Sequence, residues 1–171
     1  MEAWDLYDGN RQPLNRTIIR GEQLKQREFH VVVEVWTVNN QGQILLTLRD
    51  PSKPEYPDKW ENTGGSVLSG ETSRQGAVRE LFEETGIVAG EAELILLGTI
   101  KETSVFYDIY LLKISTEICE LTLQDGETVD AKWAGIEALD AMINDQTLAL
   151  PIGRRLEYVR EKFDKHLVVK E

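Results

Sequence analysis

The stretch "GGSVLSGETSRQGAVRELFEETGI", Gly64 to Ile87, decides how the rest of the chain is read. Its first third is glycine-rich and small, which predicts a flexible turn. From Thr72 to Thr85 the residues suit a helix, and Gly86 supplies the stop. On a helix advancing about 100° per residue, Glu83 and Glu84 fall about 60° to one side and about 40° to the other side of Glu80. The three glutamates therefore make one acidic stripe. Val78, Leu81 and Phe82 lie on a neighbouring arc and are expected to pack against a sheet. Gly76, one turn before Glu80, costs up to about 1 kcal/mol of helix propensity relative to alanine, so the space it leaves has a use.

Like charges one turn apart repel by a few tenths of a kcal/mol on an open helix, and Arg79 is the only cation between Gln75 and Ile87. A solvated, Glu-rich helix face is one reading. The other is a ligand set for a hard divalent cation such as Mg²⁺ or Mn²⁺, which prefers carboxylate, carbonyl and water oxygens. A glycine carbonyl can approach such an ion closely because no Cβ intervenes.

Outward from the helix, "FHVVVEVWTV" (Phe29 to Val38) and "ILLTLR" (Ile44 to Arg49) are rich in β-branched and apolar residues and flank the turn "NNQGQ", which predicts a hairpin. Pro51, Pro54 and Pro57 make the next segment a loop. Two further strands, "AELILLGTIKE" and "SVFYDIYLLKIS", and a short one ending near Trp133 follow. "IEALDAMIND" and "GRRLEYVREKFDKHL" close the chain as helices, the second opening after Pro151. Residues 1–28 mix turn formers with short apolar pieces and read as a β-hairpin extension packed on one main domain, 29–171. The class is α+β: a mixed sheet covered by helices.

With 171 residues and 41% apolar content, the chain is sized for one domain. Its net charge of −11 argues against nucleic acid and against an anionic membrane surface. A small phosphorylated substrate remains compatible if a cation intervenes. The sole cysteine, Cys119, an N-terminus without a secretory pattern and the lack of any long apolar run lead to a cytoplasmic expectation.

The spacing Gly65, five residues, Glu71, seven residues, then Arg79-Glu80-Leu81-Phe82-Glu83-Glu84-Thr85-Gly86-Ile87 resembles the signature of the Nudix hydrolases at each defining position. The resemblance implies an α/β/α sandwich. It also implies a Mg²⁺- or Mn²⁺-dependent pyrophosphohydrolase, in which water attacks phosphorus in a nucleoside diphosphate linked to another moiety. Carried over to this chain, Glu80, Glu83, Glu84 and the Gly64 carbonyl would bind metal, and one glutamate would also serve as base. Glu71 and Arg79 would form an ion pair holding the loop to the helix. Glu127, six residues before Trp133, resembles the family's additional acid, with Asp125 and Asp130 as competitors. A homodimer is one assembly that the resemblance allows.

"WDLYD", "FHVVVEVWTVN" and the segment leading to "NTGG" also resemble the isopentenyl-diphosphate isomerase branch of that family. Gly64 and Ser66 stand where the isomerase carries its cysteine and histidine, so the proton donor that the isomerisation needs is missing. His30 matches a metal position of that branch, but a strand-start histidine without partners is read as structural. Arg49, Lys53 and Lys59, just before the signature, would contact the diphosphate. Trp36, Trp60, Phe106 and Tyr107 could stack on a base or fill the core. The alternatives to a hydrolase are an isomerase-like enzyme and a non-catalytic nucleotide-binding module.

Overall fold

The structure is a computed structural model and describes residues 2–167. Nine strands and three α-helices follow one another along the chain: β1 (Ala3–Tyr7), β2 (Pro13–Ile19), β3 (His30–Val38), β4 (Ile44–Arg49), β5 (Trp60–Glu61), β6 (Thr63–Ser66), α1 (Ser73–Thr85), β7 (Ile95–Lys101), β8 (Val105–Lys113), β9 (Thr128–Ala134), α2 (Ile136–Asn144) and α3 (Leu150–Leu167). The main sheet runs β5-β4-β3-β8-β7, with β6 added to β3 and β9 to β4. β3 and β8 pair in parallel and the other pairs are antiparallel, so the sheet is mixed.

Alternation along β3 sends its side chains to two cores. Val31, Val33 and Val35 join Ala77 and Leu81 of α1 on one face. Trp36 and Val38 join Leu139 and Met142 of α2 and Leu156 and Phe163 of α3 on the other. Helices on both faces of a mixed sheet make the expected α/β/α sandwich. Among the described residues, no helix is long and apolar enough to cross a membrane.

The β3–β4 hairpin forms, but its arms part at once: the Cα register is Val38↔Ile44 alone. Beyond it β4 pairs with β9, whereas Val32 to Val35 of β3 pair with Ser66 to Thr63 of β6. That corrects the turn expected at Gly64 and Gly65. Both are strand residues, because the free amides and carbonyls of β3 offer a ladder that the weak strand preference of glycine does not prevent.

Helix α1 opens with a capping box, in which Thr72 accepts from the Gln75 N–H while the Gln75 side chain accepts from the Thr72 N–H. It ends at Gly86 in the left-handed conformation, φ 75°, with the Gly86 N–H donating to the Phe82 carbonyl. Its buried residues are Gly76, Ala77, Leu81 and Thr85. Phe82, expected in the packed arc, is 55% exposed. It lies about 200° around the helix from Glu80 and past the edge of the face that meets the sheet. The space beside Gly76 is taken by Val67, which would stand 3.1 Å from an added Cβ.

β1 and β2 form a separate antiparallel pair. Tyr7 and Phe29 exchange backbone hydrogen bonds of 2.8 and 2.9 Å, and Trp4 stacks on His30 at 4.3 Å. Arg11 reaches the buried Asp108.

Candidate active site

Strand β6 and helix α1 meet at the signature residues. Arg79 is the hub between them. Its guanidinium donates to Glu71 at 2.8 and 3.0 Å, to Glu80 at 2.8 Å, to Glu83 at 3.0 Å and to the Ser66 carbonyl at 2.9 Å. Glu71 in turn accepts from the Leu68 N–H at 3.0 Å. Burial opposes the Arg79 charge, but the carboxylates of Glu71 and Glu80 hold its proton more firmly than usual. The Glu71–Arg79 pair therefore ties the loop before α1 to the helix. Arg79 also neutralises part of the stripe, a role that charge spacing alone did not reveal.

The three glutamates of the stripe differ in environment. Glu83 is exposed, Glu80 is half-buried, and Glu84 has an Oε2 atom shut off from solvent with no hydrogen-bond partner. Burial, then the negative charges of Glu61 and Glu80, push the Glu84 carboxyl well above the usual carboxylate range. Burial also raises Glu80, offset in part by Arg79. Glu80 lies directly against Gly65, where any added Cβ would overlap its carboxyl group.

The far wall comes from the loop before β9. The Thr122 and Gln124 N–H groups donate to the Thr85 and Glu84 carbonyls at 2.9 and 3.3 Å, which docks this loop on the C-terminal end of α1. Glu127 then lines one cleft of about 180 Å³ with Gly64, Gly65, Glu80, Glu83 and Glu84. Lys53 pairs with Glu127, and Arg49 donates through Nη1 to both Glu61 carboxylate oxygens at 2.9 and 2.7 Å. Lys59 stands apart, donating to the Gln146 carbonyl at 2.8 Å, and lines neither this cleft nor the cavity behind it. Asp130 caps the Ala131 N–H, and neither it nor Asp125 lines the cleft.

Behind Gly64 and Gly65 lies a second cavity of about 280 Å³, on the α3 face. Glu34, Asn62, Tyr107 and Arg155 line it, with Arg49 and Glu61. Arg155 donates to Glu34 at 2.6 Å and covers the Tyr107 ring at 4.0 Å. Asn62 is 2% exposed and its amide makes no hydrogen bond of good geometry, but it sits against Glu34, whose carboxyl burial raises and Arg155, then Asn62, pull back down. Glu34 Oε2 is likewise unpartnered. Trp36 is core, edge-on to Phe163, and Phe106 packs on Phe29. Trp60 is covered by Lys132. Of the four aromatics, Tyr107 faces the cavity.

Glu61, Asn62, Glu34 and Arg155 carried no local signal in the sequence. Glu61 is the most consequential. Burial raises its carboxyl to about 7, against the pull of Arg49 and Lys53. His30 is pushed down to about 4 by burial and stacks on Trp4, in keeping with its structural reading.

The donor set fits a hard divalent cation in kind: carboxylates and glycine backbone, a shielded unpartnered oxygen on Glu84, and a cradle at Gly65 that a Cβ would fill. Among the described residues, no three acidic, histidine or cysteine side chains already converge as a closed cage. Arg79 bridges Glu80 and Glu83 instead.

Residues 28–154 match the family model described as NUDIX domain. An uncharacterized Nudix hydrolase of Listeria monocytogenes is 38% identical over 148 residues, covering 83% of this chain and 85% of that protein. The crystal structure of DR0079 from Deinococcus radiodurans superposes with a TM-score of 0.75 at 26% identity, covering 94% of this chain and 98% of that one. An isopentenyl-diphosphate Δ-isomerase of Paenarthrobacter aurescens is 28% identical over 92 residues, 53% of this chain and 50% of its own.

Proposed function

The chain belongs to the Nudix family, and from that premise we propose that it hydrolyses the pyrophosphate bond of a nucleoside diphosphate linked to another moiety. The observation that carries this reading is the Gly64–Gly65 backbone, which walls two spaces at once: the acidic cleft on the α1 side and the cavity on the α3 side. A diphosphate at this wall would have carboxylates before it and room for an organic group behind.

Glu80, Glu83, Glu84 and the Gly64 carbonyl would hold Mg²⁺ or Mn²⁺, which supplies charge neutralisation at phosphoryl oxygens and acidifies water. Glu127, on the opposite wall and within reach of solvent, takes the proton from the attacking water. The solvent oxygen bonds to phosphorus as the anhydride P–O bond breaks, and the bridging oxygen leaves with the other phosphate. Arg49 and Lys53 exchange their present carboxylates for the diphosphate and hold it in line.

The net charge of −11 supports a small substrate over nucleic acid or membrane, and a cytoplasmic location goes with the same reading. Isomerase chemistry is disfavoured because Gly64 and Ser66 offer no thiol or imidazole. A purely binding module is disfavoured because each signature glutamate is present.

The test is a panel of dinucleotide, nucleotide-sugar and nucleoside triphosphate substrates in H₂¹⁸O with Mg²⁺ or Mn²⁺. Cation-dependent release of products, ¹⁸O in one of them, and loss of turnover in Glu83→Gln are expected. Absence of release across the panel would overturn the proposal, and unchanged turnover in Glu127→Gln would remove that residue as base.

A further inference from the structure

Two charged side chains of the N-terminal hairpin, Glu2 and Arg20, line the acidic cleft beside Glu80, Glu83, Glu84 and Glu127. The hairpin is seated there by the loop preceding α1. The Ser69 N–H donates to the Ala3 carbonyl at 2.8 Å, and the Ser69 hydroxyl and Gly70 N–H donate to the Asp5 carboxylate at 2.7 and 2.9 Å. The charge of Glu2 is felt at Glu80, whose proton affinity it helps to raise.

Arg20 is held at the rim through one edge. Its backbone N–H donates to the Glu2 carbonyl at 2.9 Å, and its Nη1 donates to both Glu2 carboxylate oxygens at 3.1 and 3.0 Å. Among the described residues its Nε and Nη2 donate to nothing, and the side chain is 63% exposed. The other cation lining the cleft, Arg79, has its guanidinium committed to Glu71, Glu80, Glu83 and the Ser66 carbonyl. Arg20 is thus the cleft's arginine with an open planar fork, and such forks match phosphate oxygens two at a time.

We propose that Arg20 is a phosphate-binding residue delivered to the active site by the N-terminal hairpin, with Glu2 holding it in place until a substrate phosphate takes the open edge. This rests on the hydrolase reading, since it assigns the cleft a phosphate to bind. It extends the site to a segment outside residues 28–154, the span of the family match.

The test is calorimetric titration of methylenediphosphonate, a non-hydrolysable diphosphate, with Mg²⁺ present. Wild type, Arg20→Ala, Glu2→Gln and Arg16→Ala are compared, with melting temperatures recorded for each. Arg16 sits on the same hairpin but pairs with Glu28, outside the cleft. Arg20→Ala is expected to weaken binding about tenfold, the loss of roughly one charged hydrogen-bonded contact. Glu2→Gln is expected to tighten it by releasing Arg20, and Arg16→Ala to leave it as in wild type. A merely structural bridge predicts that Arg20→Ala and Glu2→Gln change binding and melting in the same direction, and that result overturns the proposal. Arg20→Ala binding as wild type, in an enzyme that turns over, overturns it alone. Weakened binding in Arg20→Ala with no turnover on any substrate leaves Arg20 standing and removes the hydrolase reading. Absence of diphosphonate binding by wild type overturns the Arg20 proposal, while the hydrolase reading stands or falls by turnover on the panel.

Discussion

Gly65 and Glu80 occupy one space from two sides: a Cβ built on the glycine would fall among Cδ, Oε1 and Oε2 of the glutamate. Gly65→Ala must therefore drive Glu80 out and break its 2.8 Å contact with Arg79. Turnover is expected to fall about 100-fold, the usual consequence of misplacing a reacting group by an ångström, and calorimetric Mg²⁺ uptake to weaken with it. Gly70→Ala is the contrast. With φ +84° and open space around it, it should cost on the order of 1 kcal/mol in backbone strain and spare the kinetics.

Arg79→Lys replaces a planar fork serving four groups with a single ammonium. Chemical denaturation should show a loss of about 2 kcal/mol, the scale of one or two charged hydrogen bonds at a half-buried site. Turnover should fall as well, because Glu80 and Glu83 lose the group that spaces them. A variant as stable as wild type would contradict the hub role.

Two carboxyl and imidazole shifts act on stability with opposite signs. Glu61 has its value raised from 4.5 to about 7 by burial. Between those values the folded chain binds the extra proton, so Glu61 makes stability fall as pH rises through that window, by about 3 kcal/mol at most. His30 is lowered from 6.5 to about 4, again by burial. Between those values the unfolded chain binds the extra proton, so stability falls as pH drops from 6.5 towards 4. In chelator, the stability of Glu61→Gln relative to wild type should therefore grow as pH rises from about 4.5 to 7, leaving the variant the more stable of the two at pH 8. A pH profile parallel to wild type would refute the assignment.

Asn62→Leu removes an amide whose two polar atoms are shielded and unpaired. Stability measured by guanidinium unfolding should change by no more than about 1 kcal/mol, since the amide's contact with Glu34 is marginal. KM for the best substrate of the panel should rise, because the cavity loses its neutral donor–acceptor pair. A clear destabilisation would instead make Asn62 a structural residue.

Much of the architecture was legible in the sequence where the signal is local. The β-branched run at Val31 to Val35 and the glycine stop at Gly86 each specify their element within a few residues. β6 was not legible, because its strand character comes from the ladder that β3 offers across roughly thirty residues of intervening chain. The misplaced Phe82 shows the limit of a helical wheel: it ranks apolar positions but does not say how wide a face the sheet will cover. The signature glutamates were found by spacing. Glu61, Asn62 and Arg155 enter the site through the parting of β3 from β4 and the docking of α3, which are tertiary facts. Of the three basic residues singled out before the signature, Lys59 points elsewhere, since a loop of three prolines fixes no face.

The seating of β1 against Ser69 and Gly70 has a practical consequence. Glu2 stands at the rim of the acidic cleft, so anything fused ahead of it is tethered close to the glutamates. An affinity tag fused at that end, above all a histidine-rich one, would compete for divalent cations beside the glutamates and crowd the approach. Recombinant material tagged at the opposite terminus is the sounder starting point for metal titration and kinetics.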